Sequence, residues 1–189
     1  MANELIDIYS QNNEPTGLRE MKDKAHKVGL WHRGAHIWIY NSKGEILLQL
    51  RTKNKKLFPN KWDVAVGGHV SAGEEPLTTA VREIKEELGM GISSEDLKFI
   101  TTYQKEMIGG KIDNKEFYYA YSLKYDGSVD NLVLQADEVS EVKFVPIVNL
   151  EEELKKNSEK FTPHGDYWFF MLEEIKKITK YENSNLRKH

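Results

Sequence analysis

Apolar and polar residues change their period several times along the chain, and each change marks an element. Glu4 to Tyr9 (ELIDIY) alternates weakly, and Asn12, Asn13, Pro15 and Gly17 then supply turn chemistry, so the start predicts a short strand and a hairpin. His36 to Tyr40 (HIWIY), the turn Asn41-Ser42-Lys43-Gly44 and Glu45 to Arg51 (EILLQLR) form a stronger hairpin, whose strands are predicted to be central in a sheet. Phe58 to Trp62 reads as a turn and Asp63 to Val66 as a strand. Phe99 to Glu106 and Lys115 to Tyr125 read as two further strands joined across Gly109-Gly110. Polar Asp126 to Asp137 reads as a loop, Glu141 to Val145 as a strand closed by Pro146, and Asn149 to Lys156 as a helix. Phe169, Leu172, Ile175 and Ile178 then recur at three-residue steps. They predict a final amphipathic helix whose stripe packs the core, with Tyr181 to His189 frayed.

The segment after Gly68 has a helical period and an unusual polar face. Helical residues advance about 100° each, so Leu77, Ala80, Val81, Ile84 and Leu88 gather into an apolar wedge while Glu83, Glu86 and Glu87 share the arc beside it. Pro76 suits the first turn, Glu74 and Glu75 lie at the positive end, and Gly89 is placed to end the helix after about three to four turns. Strands interleaved with a few helices indicate an α/β or α+β domain. Neither a repeat nor a dividing linker interrupts it. The 189 residues therefore read as one domain, with an N-terminal β extension (1–33), a core (34–154) and a C-terminal helix and tail (155–189).

A charge run is usually a solvated face. Here Glu83 and Glu87 are like charges at i, i+4, which costs roughly 0.2–0.5 kcal/mol unless a cation sits between them. Carboxylate oxygens suit Mg2+ or Mn2+. Arg82 and Lys85 fall on the opposite flank, too far round the helix to neutralise the cluster fully.

Composition narrows the function classes only a little. A formal charge of -3 gives no bulk reason to bind nucleic acid or an anionic membrane. The absence of cysteine excludes disulfides and thiol nucleophiles and fits a reducing cytoplasm. No apolar run approaches the roughly 18 residues of a membrane span, and the first residues lack a basic segment followed by an apolar one. The expectation is a soluble cytoplasmic protein acting on a small molecule.

Gly68 to Met90 reads GHVSAGEEPLTTAVREIKEELGM, in which Gly68, Glu74, Arg82, Glu83, Ile84, Glu86, Glu87, Gly89 and Met90 fill every fixed place of G-x5-E-x7-R-E-U-x-E-E-x-G-U. The segment resembles the signature of the Nudix family. That resemblance implies an α/β/α sandwich around a mixed sheet and metal-assisted cleavage of a diphosphate, here of a nucleoside diphosphate linked to another moiety. It implies that Glu83, Glu86 and Glu87 hold Mg2+ or Mn2+, helped by the Gly68 carbonyl, and that Arg82 braces the loop by pairing with Glu74. The base for the attacking water is Glu83, or Glu138 in the late polar loop, with Glu141 as the fallback. Homodimers are common in the family.

Trp31 to Val70 also resembles the branch that contains isopentenyl diphosphate isomerases. His32 and His69 match histidines that hold a metal there, His26 matches approximately, and Glu116 falls near a catalytic glutamate. A second metal site of His32, His69 and Glu116 is one implication; the preferred reading is that the two histidines hydrogen-bond the turn supporting Gly68. Gly67 stands where the isomerases carry a catalytic cysteine, and Asn114 where they carry a glutamate ligand. The combination reads as an isomerase-like frame with hydrolase machinery. A working isomerase and a non-catalytic nucleotide-binding sensor are the alternatives. Arg51, in a basic group with Lys53, Lys55 and Lys56, is assigned to substrate phosphate because its fork matches phosphate oxygens. Trp62, Tyr118 and Tyr119 are read as core aromatics.

Overall fold

A computed structural model describes residues 4–107 and 113–186. Its elements are β1 (Leu5–Tyr9), β2 (Pro15–Met21), α1 (Lys22–Val28), β3 (Trp31–Tyr40), β4 (Glu45–Arg51), β5 (Trp62–Val64), β6 (Val66–His69), α2 (Pro76–Leu88), β7 (Lys98–Met107), β8 (Asn114–Lys124), β9 (Val139–Pro146), α3 (Ile147–Lys156) and α4 (Asp166–Leu186). The strands form one mixed sheet organised on β3, which pairs in parallel with β8 and antiparallel with β1, β4 and β6.

β3 is apolar on both faces because both faces are covered. Ala35, Ile37 and Ile39 lie under α2, whose Ala80, Ile84 and Leu88 are fully buried, as the helical wedge requires. Trp38 and Tyr40 point the other way, against Leu150 and Leu154 of α3 and Trp168, Met171, Leu172 and Ile175 of α4. The result is the expected α/β/α sandwich around a mixed sheet. Pro76 opens α2 and Gly89 closes it in the left-handed conformation at φ 66°. Among the described residues no helix is long and apolar enough to cross a membrane.

Several local expectations need correction. α1 lies within the expected N-terminal β extension, where no helix is predicted; only Ala25 and His26 of its seven residues are buried, so it has no stripe to betray it. The strand expected over Asp63 to Val66 is two strands, β5 on β4 and β6 on β3, because the chain changes partner at Ala65. The hairpin of β3 and β4 pairs only at Tyr40 and Ile46, since β6 takes the edge of β3 and β5 and β9 flank β4. α4 continues to Leu186 where fraying was expected, and its Glu182 accepts hydrogen bonds from Tyr40 Oη and Lys124. The Gly109-Gly110 turn falls outside the described residues.

Candidate metal and phosphate site

Burying one side of α2 fixes where its acidic side points. Glu87 is 4% exposed and Glu83 mostly buried, whereas half of the Glu86 side chain reaches solvent. Glu83 lies directly over Gly68 of β6, where even a Cβ would overlap its carboxyl group. That glycine is needed for close approach, not for an unusual φ. Gln49 of β4 donates to the Glu87 carboxylate at 3.1 Å. Burial raises the pKa of Glu87 well above the carboxylate range, and the charge of Glu83 adds to the effect. Glu83 is raised too, chiefly by burial. These are oxygen donors crowded together at an energetic cost, which fits a hard divalent cation.

Arg82 departs from its expected flank. Its Nη2 donates to Glu74 at 3.0 Å, and its Nη1 reaches Glu83 at 2.8 Å and Glu86 at 3.3 Å. The side chain is long enough to fold back across the helix surface, so backbone angle alone misjudged it. Glu74 also accepts from Thr79 Oγ1 at 2.7 Å, which ties the loop before α2 to the helix. Lys85 stays exposed.

The glutamates open on a cavity of about 520 Å3. Gly67, Gly68 and His69 of β6 line it, as do Lys22 of α1, Lys55 and Lys56 of the segment after β4, and Gln135 and Glu138 ahead of β9. Glu138 is therefore brought to the glutamates, and Lys55 pairs with it. Burial pulls the Lys55 pKa below its usual range. Glu141, the fallback base, is exposed on β9 and does not line the cavity. Arg51 lines the cavity, and its guanidinium also donates inside the protein: Nη2 to the Leu57 carbonyl at 2.9 Å, Nε to the Phe58 carbonyl at 3.2 Å, and Nη1 to Asp63 at 3.3 Å. It holds the turn that follows Lys55 and Lys56. Arg51, assigned to phosphate from the sequence, thus stands in the cavity lining with part of its fork already engaged.

A second donor set lies across β6. Side chains alternate along a strand, so Gly68 faces Glu83 while Gly67 and His69 face the other side of the sheet. There the Nε2 atom of His26 stands 3.2 Å from Nε2 of His32 and 3.0 Å from Nε2 of His69. His32 Nδ1 donates to the Leu30 carbonyl at 2.9 Å, which leaves its Nε2 as a lone-pair donor towards His26. Burial lowers all three pKa values, His26 to about 4, His32 to about 3 and His69 well below the ordinary value. Neutral imidazoles with converging nitrogens are the form in which histidine binds metals. Glu116 approaches His32 Nε2 at 3.9 Å, is held by Asn114 at 3.0 Å, and is pushed up to about 7 by burial. The histidine hydrogen bonds expected to reach the turn around Gly68 run instead among the three Nε2 atoms and from His32 Nδ1 to Leu30. His26, matched only approximately in sequence, is the member that joins the other two. α1 delivers it.

The aromatics stay out of the cavity, as expected. Tyr118 is 1% exposed, Trp62 lies under Lys143 at 3.8 Å, and Tyr119 packs near Arg33. Sequence reasoning missed Gln49 as the partner of Glu87 and Lys55 as the partner of Glu138, pairings that only the fold creates.

Residues 30–165 match the family described as NUDIX domain. Over 175 residues the chain is 33% identical to Nudix hydrolase 3 of Arabidopsis thaliana, covering 88% of this chain and 23% of that protein. The chain thus spans about a quarter of that relative. It is 32% identical to an uncharacterized Nudix hydrolase of Listeria innocua, covering 92% of this chain and 95% of the relative. It is also 31% identical to the isopentenyl-diphosphate Delta-isomerase of Serratia proteamaculans, covering 89% of each. In fold it is similar to the crystal structure of DR0079 from Deinococcus radiodurans, with a TM-score of 0.67 at 22% identity, over 92% of this chain and 98% of that one.

Proposed function

Because this chain belongs to the Nudix hydrolase family, we propose that it cleaves the diphosphate bond of a nucleoside diphosphate linked to another moiety, in the cavity beside α2. The observation that carries this reading is the meeting of Glu83, Glu86, Glu87 and Gly68 with Lys22, Lys55 and Lys56 around one cavity. In this reading Glu83, Glu86 and Glu87, with the Gly68 carbonyl, hold Mg2+ or Mn2+. When bound, such an ion neutralises phosphate oxygens and acidifies a water molecule.

The protein's own groups do the rest. Glu83, whose raised pKa suits proton uptake, or Glu138 takes the proton of the attacking water, a contribution of about 10² to 10⁴-fold. The water oxygen bonds to one phosphorus, the bridging bond breaks, and the other phosphate departs with its electron pair. Lys22, Lys55 and Lys56 offset the charge on the departing side. Arg82 and Glu74 keep the loop before α2 in place, and Arg51 acts on the turn beside the lysines. His26, His32 and His69 form a second site, suited to a transition metal.

A second reading, isomerisation of isopentenyl diphosphate, is favoured by the histidine cluster beside Glu116; Gly67 leaves it without the expected cysteine. One experiment separates these. The protein with Mg2+ is incubated in heavy-oxygen water with nucleoside triphosphates, nucleoside diphosphate sugars, dinucleotides and isoprenoid diphosphates. Heavy oxygen in a phosphate product supports hydrolysis, an unlabelled product of unchanged mass supports isomerisation, and binding without product supports a nucleotide sensor.

A further inference from the structure

Gly67 carries no side chain where a buried histidine that the mechanism does not use comes to the sheet face. His36 pairs with Gly67 in the register of β3 and β6, so its side chain and the position of the missing one share a sheet face. The His36 ring is 8% exposed and stacks on Tyr118, with centroids 3.9 Å and planes 19° apart. His164 and Tyr167 meet its edge at 5.4 and 5.6 Å. Its Nδ1 is buried with no hydrogen-bond partner among the described residues. The nearby carboxylate of Asp63 is already engaged by His164 and Thr162, both at 2.8 Å, and by Arg51.

A neutral imidazole carries one N–H and one lone pair, and an unmet donor is the more costly of the two to bury. The proton therefore belongs on Nε2. A Cβ built on Gly67 would lie 3.6 Å from His36 Cδ2 and 3.7 Å from its Nε2, so this nitrogen borders the place a side chain at Gly67 would fill, and Gly67 itself lines the cavity. Burial keeps the ring neutral, with a pKa of about 3. Leu57 is the one large aliphatic side chain that lines the cavity among the described residues, so little there suits an alkyl chain.

We propose that His36 Nε2 and the open position at Gly67 form a subsite for a hydroxylated, sugar-like group carried beside the diphosphate, and that it selects such groups over alkyl diphosphates. This rests on the hydrolase reading for its substrate but not for its contact.

Two variants test it. His36→Phe keeps the stack on Tyr118 and removes both nitrogens. Gly67→Ala places a methyl group at ordinary contact distance from the ring, so the fold accommodates it while Nε2 is covered. For a nucleoside diphosphate sugar, each variant is expected to raise KM about tenfold with kcat within about threefold. The same variants leave KM for isopentenyl diphosphate within about twofold. Independently of turnover, the nitrogen spectrum of labelled histidines should show His36 protonated at Nε2. That resonance should shift when the methylene analogue of ADP-ribose, which cannot be hydrolysed, is added with Mg2+. If no diphosphate is hydrolysed but the resonance shifts, the hydrolase reading fails and the subsite stands. Unchanged sugar KM in both variants, an equal rise for the alkyl substrate, or an unmoved resonance would overturn the proposal.

Discussion

On one side of β6 the carboxylates of Glu83, Glu86 and Glu87 crowd together, and on the other the imidazoles of His26, His32 and His69 do. The carboxylate side carries net charge, leaves about half of Glu86 in solvent and recruits Arg82 to three of its acids. The imidazole side is neutral and more deeply buried, although His26 and His69 line the same cavity. Charge that is incompletely matched and open to a cavity suits an ion that arrives with a phosphorylated substrate. Neutral nitrogens at fixed spacing suit one that stays. A four-residue strand divides the two because alternate side chains point to opposite faces, so the same segment contributes to both.

The sharpest way to break this comparison is Glu87→Gln. With Mg2+ and the substrate found by the panel, kcat is expected to fall about a thousandfold, while folding is retained, because a charged donor is replaced by a neutral isostere. Retention of more than about a tenth of the turnover, measured by product mass, would remove Glu87 from the metal set. Gly68→Ala comes next. Its methyl group must displace the Glu83 carboxyl, and a loss of about a hundredfold in kcat/KM is expected, together with about 1–3 kcal/mol of stability in a urea titration.

Much of the α2 side was legible because its signals are local. The apolar wedge, Pro76, Gly89 and the acidic arc all sit within one helix, and helical geometry converts their spacing into faces. The histidine side was legible only in fragments. His32 and His69 are far apart in sequence, and their convergence depends on α1, whose KDKAHKV has no periodic stripe, and on the partner change at Ala65. The pairing of Lys55 with Glu138 spans 83 positions, beyond the reach of any pattern in the chain. The internal partners of Arg51 and Arg82 were hidden for another reason. Long side chains reach partners that neither strand alternation nor helical angle specifies. His36 sits inside an apolar run and reads as core until the fold shows that Gly67 stands opposite.

The histidine side gives the third prediction. His32→Asn with His69→Asn should abolish transition metal that copurifies or is added to the protein, read by elemental analysis, and should leave Mg2+-dependent kcat within about threefold. Unchanged bound transition metal in this variant removes the second site. A loss of Mg2+-dependent turnover as large as that of Glu87→Gln would mean that the two sides are one centre, which would dissolve the distinction drawn at β6.

The smallest effect is on stability, and it runs opposite to the effect on turnover. Glu87 has a folded-state pKa raised above its unfolded value of about 4.5. The native state thus keeps a proton that the unfolded state has lost, and stability falls as pH rises from about 4.5 towards the folded value. A neutral glutamine escapes that loss. In metal-free protein, Glu87→Gln should therefore be more stable than the wild type by about 1–2 kcal/mol at pH 8, with the difference vanishing near pH 4.5. Added Mg2+ should narrow the gap, since it stabilises only the protein that binds it. Urea titrations at the two pH values, with and without Mg2+, read this directly. A variant less stable than the wild type at pH 8 would mean that the Glu87 charge is already compensated within the fold, leaving the carboxylate side no need of a cation.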